Sequence, residues 1–215
     1  MTGKEHHLAT TPQTQLDPII SRDAARVAYT VVEGGRSSGY VVPITGGTAR
    51  RVCEACALSG WFADGRHILT TPARSAGAVR ILDVDAGTFV DPLDPGAPVG
   101  RLELSWDNRW LAVTEGGQAA GQVGNYGRVW IAPLRAGKTS VRSEWNEVPL
   151  PRATNVAGRA TGWSPDGRLL YLLLDVDGFR CLYAQRVDPD RGKAIGEHLS
   201  SNIFMRRSGY GALLR

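Results

Sequence analysis

The stretch GRSSG at residues 35–39 matches a pattern associated with nucleophilic catalysis. In G-x-S-x-G, the serine becomes a nucleophile where a strand turns sharply into a helix. Here the pattern lies between two apolar runs, VAYTVV and YVVPI, where small polar residues are typical of a hairpin tip. We therefore favour a hairpin, and we expect no catalytic residue and no enzymatic activity.

Cys53 and Cys56 form a C-x-x-C pair in the stretch CEAC. A structural zinc site requires four ligands, and no second cysteine pair follows in the sequence. A redox motif with this spacing is expected at the start of a helix, where the pKa of the thiol falls. Three roles remain open for these residues: packing between repeat units or a turn, a reversible disulfide, and a metal-binding pair.

Acidic and aromatic residues offer two weaker candidates. DVDAG at Asp83 and DVDG at Asp175 resemble the start of a calcium loop, but both lack the later ligands, so hairpin turns are favoured. We expect no metal ligands and no cofactor. Trp145, in the polar stretch SEWNE, is the one candidate for a ligand-binding side chain.

A repeat explains where the polar turns fall. Four stretches align on an aspartate that precedes a short apolar strand: SRDAARVAY, FADGRHILT, SWDNRWLAV and SPDGRLLYL. The aligned aspartates are Asp23, Asp64, Asp107 and Asp166. Asp, Asn and Gly favour a turn at these points, and the apolar alternation that follows predicts a half-buried strand.

A second apolar strand follows each of these turns, in GYVVPITGG, AVRILDVDAG, RVWIAPLRAG and RCLYAQRVDPDRG. With the flanking segments, each unit holds four short strands in about 40–45 residues, the period of a propeller blade. The third unit is longer because it contains the insertions EGGQAAGQVGNYG and AGKTSVRSEWNE. The sequence thus predicts an all-β fold, a β-propeller array of four four-stranded blades.

The stretch WSPDGRLLY with DVDGFRCLYAQRVDP resembles the WD-like repeats of TolB-type β-propellers. More narrowly, RRVCEACALSGWFADGRHIL, IAPLRAGKTSVRSEWNEVP and DGFRCLYAQRVDPDRGKAIGE resemble propeller regions of acidobacterial-type proteins. Such regions often follow a Ser/Thr kinase domain or a winged-helix DNA-binding domain. The resemblance covers about residues 17–210, which contain no kinase or DNA-binding motif.

We expect a polar lead-in over residues 1–16 and propeller repeats over residues 17–215, with blades at about 17–54, 55–98, 99–152 and 153–205. Propellers close with four to eight blades. TolB-like relatives usually have six or more, so the resemblance implies an incomplete propeller. Self-association would cover its open apolar faces. A four-bladed ring and a piece of a longer protein are the alternatives.

Rigid blades that carry variable loops favour a binding or sensing module for a protein, peptide or small ligand. The resemblance also implies alternatives: a sensor region separated from a signalling Ser/Thr kinase or transcription regulator, the propeller cap of a serine peptidase, or a metal-dependent hydrolase such as a lactonase. The 25 basic and 21 acidic residues are scattered, so we expect no nucleic-acid partner. No apolar run approaches a membrane span, and the polar N-terminus lacks a signal core, which favours a cytoplasmic location.

Overall fold

The computed structural model describes residues 8, 12–72, 79–94, 99–115, 128–150, 157–176 and 179–200. Within these ranges the regular secondary structure consists of β-strands and one 3-10 turn at Arg142–Glu144. Four sheets contain four strands each, and the neighbouring strands are antiparallel. The predicted all-β fold with four four-stranded blades is confirmed.

The first two blades follow the order of the chain. The first contains β1 (Thr14–Ile20), β2 (Arg26–Glu33), β3 (Arg36–Pro43) and β4 (Arg50–Glu54). The second contains β5 (Cys56–Trp61), β6 (His67–Pro72), β7 (Arg80–Asp83) and β8 (Thr88–Val90), and the short strand β9 (Leu93–Asp94) comes next. Because neighbours in sequence are neighbours in the sheet, short connections join them.

The last two blades have the same strand order. The third contains β10 (Val99–Leu104), β11 (Trp110–Glu115), β12 (Val129–Pro133) and, after the short strand β13 (Ser140–Val141), β14 (Asn146–Val148). The fourth contains β15 (Ala157–Trp163), β16 (Leu169–Val176), β17 (Phe179–Asp188) and β18 (Lys193–Ser200). The first sheet begins at Thr14, and the expected limits of the lead-in and the blades stay a prediction.

The described residues form two compact units. The first holds the first and second blades with residues 137–139, and the second holds the third and fourth blades. In each unit the core lies between the two blades, where alternate residues of facing strands meet. In β16, for example, Leu170, Leu172 and Leu174 are fully buried against the third blade, whereas Tyr171 and Leu173 are half-buried.

A tryptophan three residues before the repeat aspartate joins the blades in both units. Trp61 Nε1 donates to the carbonyl oxygen of Ile19 at 3.2 Å, from the second blade to the first. Trp163 Nε1 donates to the carbonyl oxygen of Glu103 at 3.0 Å, from the fourth blade to the third. The two bonds occupy corresponding positions of the repeat, so they are a recurring feature of the contact between blades.

A threonine seven residues after the repeat aspartate makes a second recurring bond. Thr30 Oγ1 accepts the backbone N–H of Leu58 at 3.2 Å, and Thr114 Oγ1 accepts that of Ala160 at 3.1 Å. Both threonines are buried, at 3% and 0% exposure. Each hydroxyl therefore satisfies a backbone donor that would otherwise face the neighbouring blade without a partner.

Candidate functional site

Each blade has two ends, which differ in the strands that they connect. At the aspartate end, the first strand turns into the second through the repeat aspartate. At the hairpin end, the second strand turns into the third and the fourth strand leads to the next blade. The polar groups of the four aspartate ends, and of the hairpin end of the first blade, lie in the described residues.

Three of the four aspartate turns share a serine hydroxyl that bonds twice. The hydroxyl donates to the aspartate Oδ1 in the pairs Ser21–Asp23 at 2.6 Å, Ser105–Asp107 at 2.7 Å and Ser164–Asp166 at 2.6 Å. It also accepts the N–H of the residue five positions later. The serine bond is the main cause that lowers the pKa of Asp23 and of Asp166. At Asp107 burial raises the pKa, but the bonds from Arg109 and Ser105 lower it overall.

The second blade replaces this serine with Phe62, and a histidine takes over its role. The ring Nδ1 of His67 lies 2.6 Å from Asp64 Oδ2, and its backbone N–H donates to Asp64 Oδ1 at 3.0 Å. Burial raises the pKa of Asp64, but the two bonds from His67 and the backbone N–H of Arg66 lower it overall. The aspartate turn of the second blade is thus stabilised by a histidine in place of the serine.

The DVDAG stretch also lies at the aspartate end and forms a hairpin turn. Asp83 Oδ1 accepts the N–H groups of Asp85 and Ala86, both at 3.0 Å, while Arg66 lies 2.6 Å from Asp83 Oδ2. The Arg66 bond is the main cause that holds the pKa of Asp83 far below its usual range. These carboxylates are thus already occupied by the protein. The DVDG stretch at Asp175 lies partly outside the described residues.

At the hairpin end of the first blade there is an open cavity of about 910 Å³. Its lining residues are Val31, Glu33, Gly34, Arg36, Ser37, Ser38, Tyr40, Arg51, Glu54 and Ala55. Gly34 and Gly35 form the tip with φ of +54° and +72°, the signs that a two-residue type I′ turn requires. The GRSSG serines therefore lie on β3 of a hairpin, as the sequence favoured, and no helix follows them.

Strand register brings the cavity residues together. Ser38 of β3 lies opposite Val31 of β2 on one side and Glu54 of β4 on the other. Tyr40 lies opposite Arg51 in the next row. The floor is thus apolar at Val31, with hydroxyl and charged groups around it.

The charges of the cavity differ in how they are paired. Arg51 Nη2 lies 2.8 Å from Glu54 Oε1, and Glu33 accepts a long bond from Gln13 Nε2 at 3.4 Å. Among the described residues, the Arg36 guanidinium has no ion-pair partner. It is therefore the cationic group of this cavity that is available to a ligand.

Cys53 and Cys56 are joined in a disulfide, with their Cα atoms 6.1 Å apart. They are 7% and 0% exposed and belong to the core between the first two blades. The disulfide therefore backs the part of the cavity wall formed by Glu54 and Ala55. Of the roles that the sequence left open, the structure places these cysteines in a disulfide.

Trp145, the residue that the sequence singled out, is 6% exposed, and its Nε1 donates to Ser140 Oγ at 3.2 Å. The Arg142 guanidinium lies over its ring at 4.8 Å and over the Trp130 ring at 3.7 Å. Arg142 also pairs with Glu115 at 2.5 Å. Trp145 thus belongs to a packed cation–aromatic cluster on the third blade, and its contact with a ligand stays a prediction.

Within the described ranges, no three His, Cys, Asp or Glu side chains converge in a way that would hold a metal ion. In the same ranges, the structure has no helix with the length and apolar character needed to cross a bilayer.

No known family model matches the chain. Among curated proteins it resembles Tricorn protease homolog 1 of Streptomyces coelicolor, with 29% identity over 126 residues, which is 53% of this chain and 12% of that protein. Among solved structures it resembles a putative TolB from Agrobacterium tumefaciens, with a TM-score of 0.57 and 22% identity over 82% of this chain and 62% of that one. The β-propeller domain of Cps50 (Swd1) from Myceliophteria thermophila gives a TM-score of 0.56 and 17% identity over 90% and 57%.

These likenesses show the fold, which is that of TolB-type and WD-like β-propellers. The chain spans less than two thirds of the TolB chain and a small part of the Tricorn homologue. The described residues form four blades, and the chain covers 62% of that TolB chain. Both observations are consistent with the predicted incomplete propeller. The narrower resemblance to acidobacterial-type proteins, the cytoplasmic location and self-association stay predictions.

Proposed function

We propose that this chain is a non-catalytic binding module that holds a protein or peptide segment at the hairpin end of its blades. The observation that carries the proposal is the open cavity of about 910 Å³ on the first blade. Its size lies within the range of small-ligand sites, and its lining combines apolar, hydroxyl and charged groups. The aspartate end is less suited to a ligand because its carboxylates already bond within the protein.

The lining favours recognition over catalysis. Ser37 and Ser38 are on a strand, and the described residues of the lining include no histidine that would act as a base. Arg36 offers a guanidinium to a carboxylate, and the Ser38 hydroxyl both donates and accepts. A peptide with an acidic side chain or a free C-terminal carboxylate would therefore find a charge partner beside an apolar contact at Val31.

The experiment is selection of a random-peptide display library on the immobilised chain, followed by affinity measurement of the enriched peptides. We expect enriched peptides to carry a carboxylate and to lose at least tenfold in affinity for an Arg36→Glu variant. Arg168→Glu is the matched control, because Arg168 is an exposed arginine at the aspartate end of the fourth blade. Equal loss in both variants, or no enriched peptide, would count against the proposal.

A second candidate is that the chain is the propeller part of a larger peptidase assembly. It is favoured by the 29% identity to Tricorn protease homolog 1, of which the chain spans 12%. In this function the cavity would hold a peptide segment while another domain or chain cleaves it. Sequencing the genomic region on both sides of the coding sequence tests this candidate, because a peptidase domain or neighbouring peptidase gene should be found there.

A further inference from the structure

We propose that Cys53 and Cys56 form a thiol–disulfide site whose oxidised state fixes the cavity wall and which a dithiol reductant releases. The inference concerns the chain itself and requires no ligand in the cavity. It begins from the place of the disulfide, which links the last residues of the first blade to the first residue of the second.

The backbone between the two cysteines is held in an unusual conformation. Ala55 has a φ of +50°, in the left-handed region that residues with a side chain rarely adopt. The Cα separation of 6.1 Å is within the span that a disulfide bridges. The disulfide thus holds residues 54–55 in this turn, and the reduced chain would tend to leave it.

The surroundings of Cys53 leave little room for a free thiol. Cys53 lies opposite Gly39 in the sheet, and a Cβ at Gly39 would lie 2.8 Å from Cys53 Sγ and 2.8 Å from Leu58 Cδ2. Two thiols need more space than two bonded sulfurs, and a well-packed core resists added volume. Because Cys56 is fully buried between the blades, we expect reduction to move Cys53 and the turn beside it.

That movement would reach the cavity, since Glu54 and Ala55 both line it. Glu54 also holds Arg51 in an ion pair at 2.8 Å. Release of the turn would separate Glu54 from Arg51 and widen the cavity at this wall. The redox state of two buried sulfur atoms would in this way set the shape of an exposed surface.

The exchange needs a dithiol as its second reactant. A thiolate of the dithiol attacks Cys53 Sγ, the sulfur–sulfur bond breaks, and Cys56 leaves as a thiolate that takes up a proton. The second thiol of the reductant then attacks the mixed disulfide and releases Cys53, so the reductant becomes a cyclic disulfide and two electrons reach the protein. The pair does not lie at a helix start, where catalytic thiolates are activated, so it is a target of exchange rather than its catalyst.

The first test counts thiols in the full chain purified without reductant. The chain has three cysteines, and we expect one alkylated cysteine, Cys181, before treatment with dithiothreitol and three after it. Three alkylated cysteines in the folded, untreated chain would overturn the proposal.

The second test measures hydrogen exchange across residues 50–58 with and without dithiothreitol. We expect exchange at least tenfold faster on reduction and a fall in Tm of about 4–8 °C. Ala55→Gly should exchange less rapidly on reduction than the unchanged chain, because glycine keeps a positive φ without strain. Unchanged exchange in a chain shown to have three thiols would also overturn the proposal.

Two variants separate this effect from general damage by the reductant. Cys53→Ala/Cys56→Ala should exchange like the reduced chain and should not respond to dithiothreitol. Cys181→Ala removes the third cysteine, which is outside the disulfide, and should keep the full response. If the double variant does not fold, the Cys181→Ala chain with and without reductant decides the question.

Discussion

A serine hydroxyl in three of the four aspartate turns donates to the carboxylate and accepts the N–H that opens the second strand. One side chain thus satisfies two groups that the turn would otherwise leave to solvent. The second blade shows that the aspartate is the fixed partner, because His67 replaces the serine without loss of the turn. At the scale of single residues, the repeat thus requires the aspartate and a side chain that bonds to its carboxylate, and that side chain is a serine or a histidine.

We expect Ser105→Ala to lower the free energy of unfolding by about 1 kcal/mol at pH 7, since it removes bonds to Asp107 and to the Trp110 N–H. Urea denaturation checks this value. Ser59→Ala, at an exposed strand position, is the control and should have little effect.

The same variant should change the response to acid. The lowered pKa of Asp107 contributes stability above the usual aspartate value of 3.8, and this stability is lost as the pH falls through the folded-state pKa. Without Ser105 the folded-state pKa moves back toward 3.8, so less stability remains to be lost. We expect a smaller fall in Tm between pH 7 and pH 3 than in the unchanged chain; an identical fall would contradict this account.

Between elements, neighbouring blades are joined by a tryptophan bond and a threonine bond that occur at corresponding positions in both units. Apolar packing supplies the area of these interfaces, but it does not by itself fix how one blade is aligned on the next. Directional bonds to a carbonyl and an N–H group do fix it. The repeat therefore specifies the interface as well as the blade.

Thr30→Val should break the bond between the first two blades while keeping the size of the side chain. We expect a loss of about 1 kcal/mol and faster hydrogen exchange at the Leu58 amide. Thr114→Val is matched to it, because Thr114 is 0% exposed and makes the corresponding bond to the Ala160 amide in the other unit. Faster exchange at Leu58 in both variants would show that the bond has no specific role.

Gly39→Ala should destabilise the chain by about 1–3 kcal/mol, because the added methyl group would meet Cys53 Sγ and Leu58. Gly162→Ala is the control: it is also on a strand, and a Cβ there meets no atom within 4 Å. Chemical denaturation of both variants checks the difference. Equal stabilities would mean that the disulfide region has room to relax.

The blades could be predicted from the sequence because they depend on local patterns, an aspartate turn followed by alternating apolar residues. The cavity could not, because it depends on the register that places Ser38 between Val31 and Glu54. The C-x-x-C spacing suited several roles, and the bond between the two sulfur atoms in the structure was needed to choose among them. Trp145 was a binding candidate because it lies in a polar stretch, yet its side chain is buried and its ring packs against Arg142, a contact that the residue types alone do not predict.

At the scale of the whole molecule, the free energy of unfolding of a repeat array is the sum of two contributions. These are the stability of each blade alone and the stability of its contacts with immediate neighbours. The two inter-blade bonds need a tryptophan and a threonine at fixed positions. The first blade has Ile20 at the tryptophan position, 61% exposed, and the fourth has Leu173 at the threonine position. Within its unit, the first blade therefore lacks this tryptophan, and the fourth blade lacks this threonine.

We expect a defect in the first blade to spread to the second and to fade beyond it. In Gly39→Ala, hydrogen exchange should rise in β2–β6 and change little in β16 and β17, where Leu170 and Leu172 remain packed. Exchange measured by mass spectrometry across the chain tests this. A uniform rise in all four blades would show one fully cooperative structure.

The separation of the two ends has a consequence for how such a chain changes over generations. Residues that determine whether a blade folds, such as Asp166 and Ser164, lie at one end. Residues that would determine what it recognises, such as Arg36 and Glu54, lie at the other. Under the proposed function, duplicated copies would acquire new specificities by substitution around the hairpins while keeping the aspartate turns intact, so divergence in binding would not disturb these folding signals.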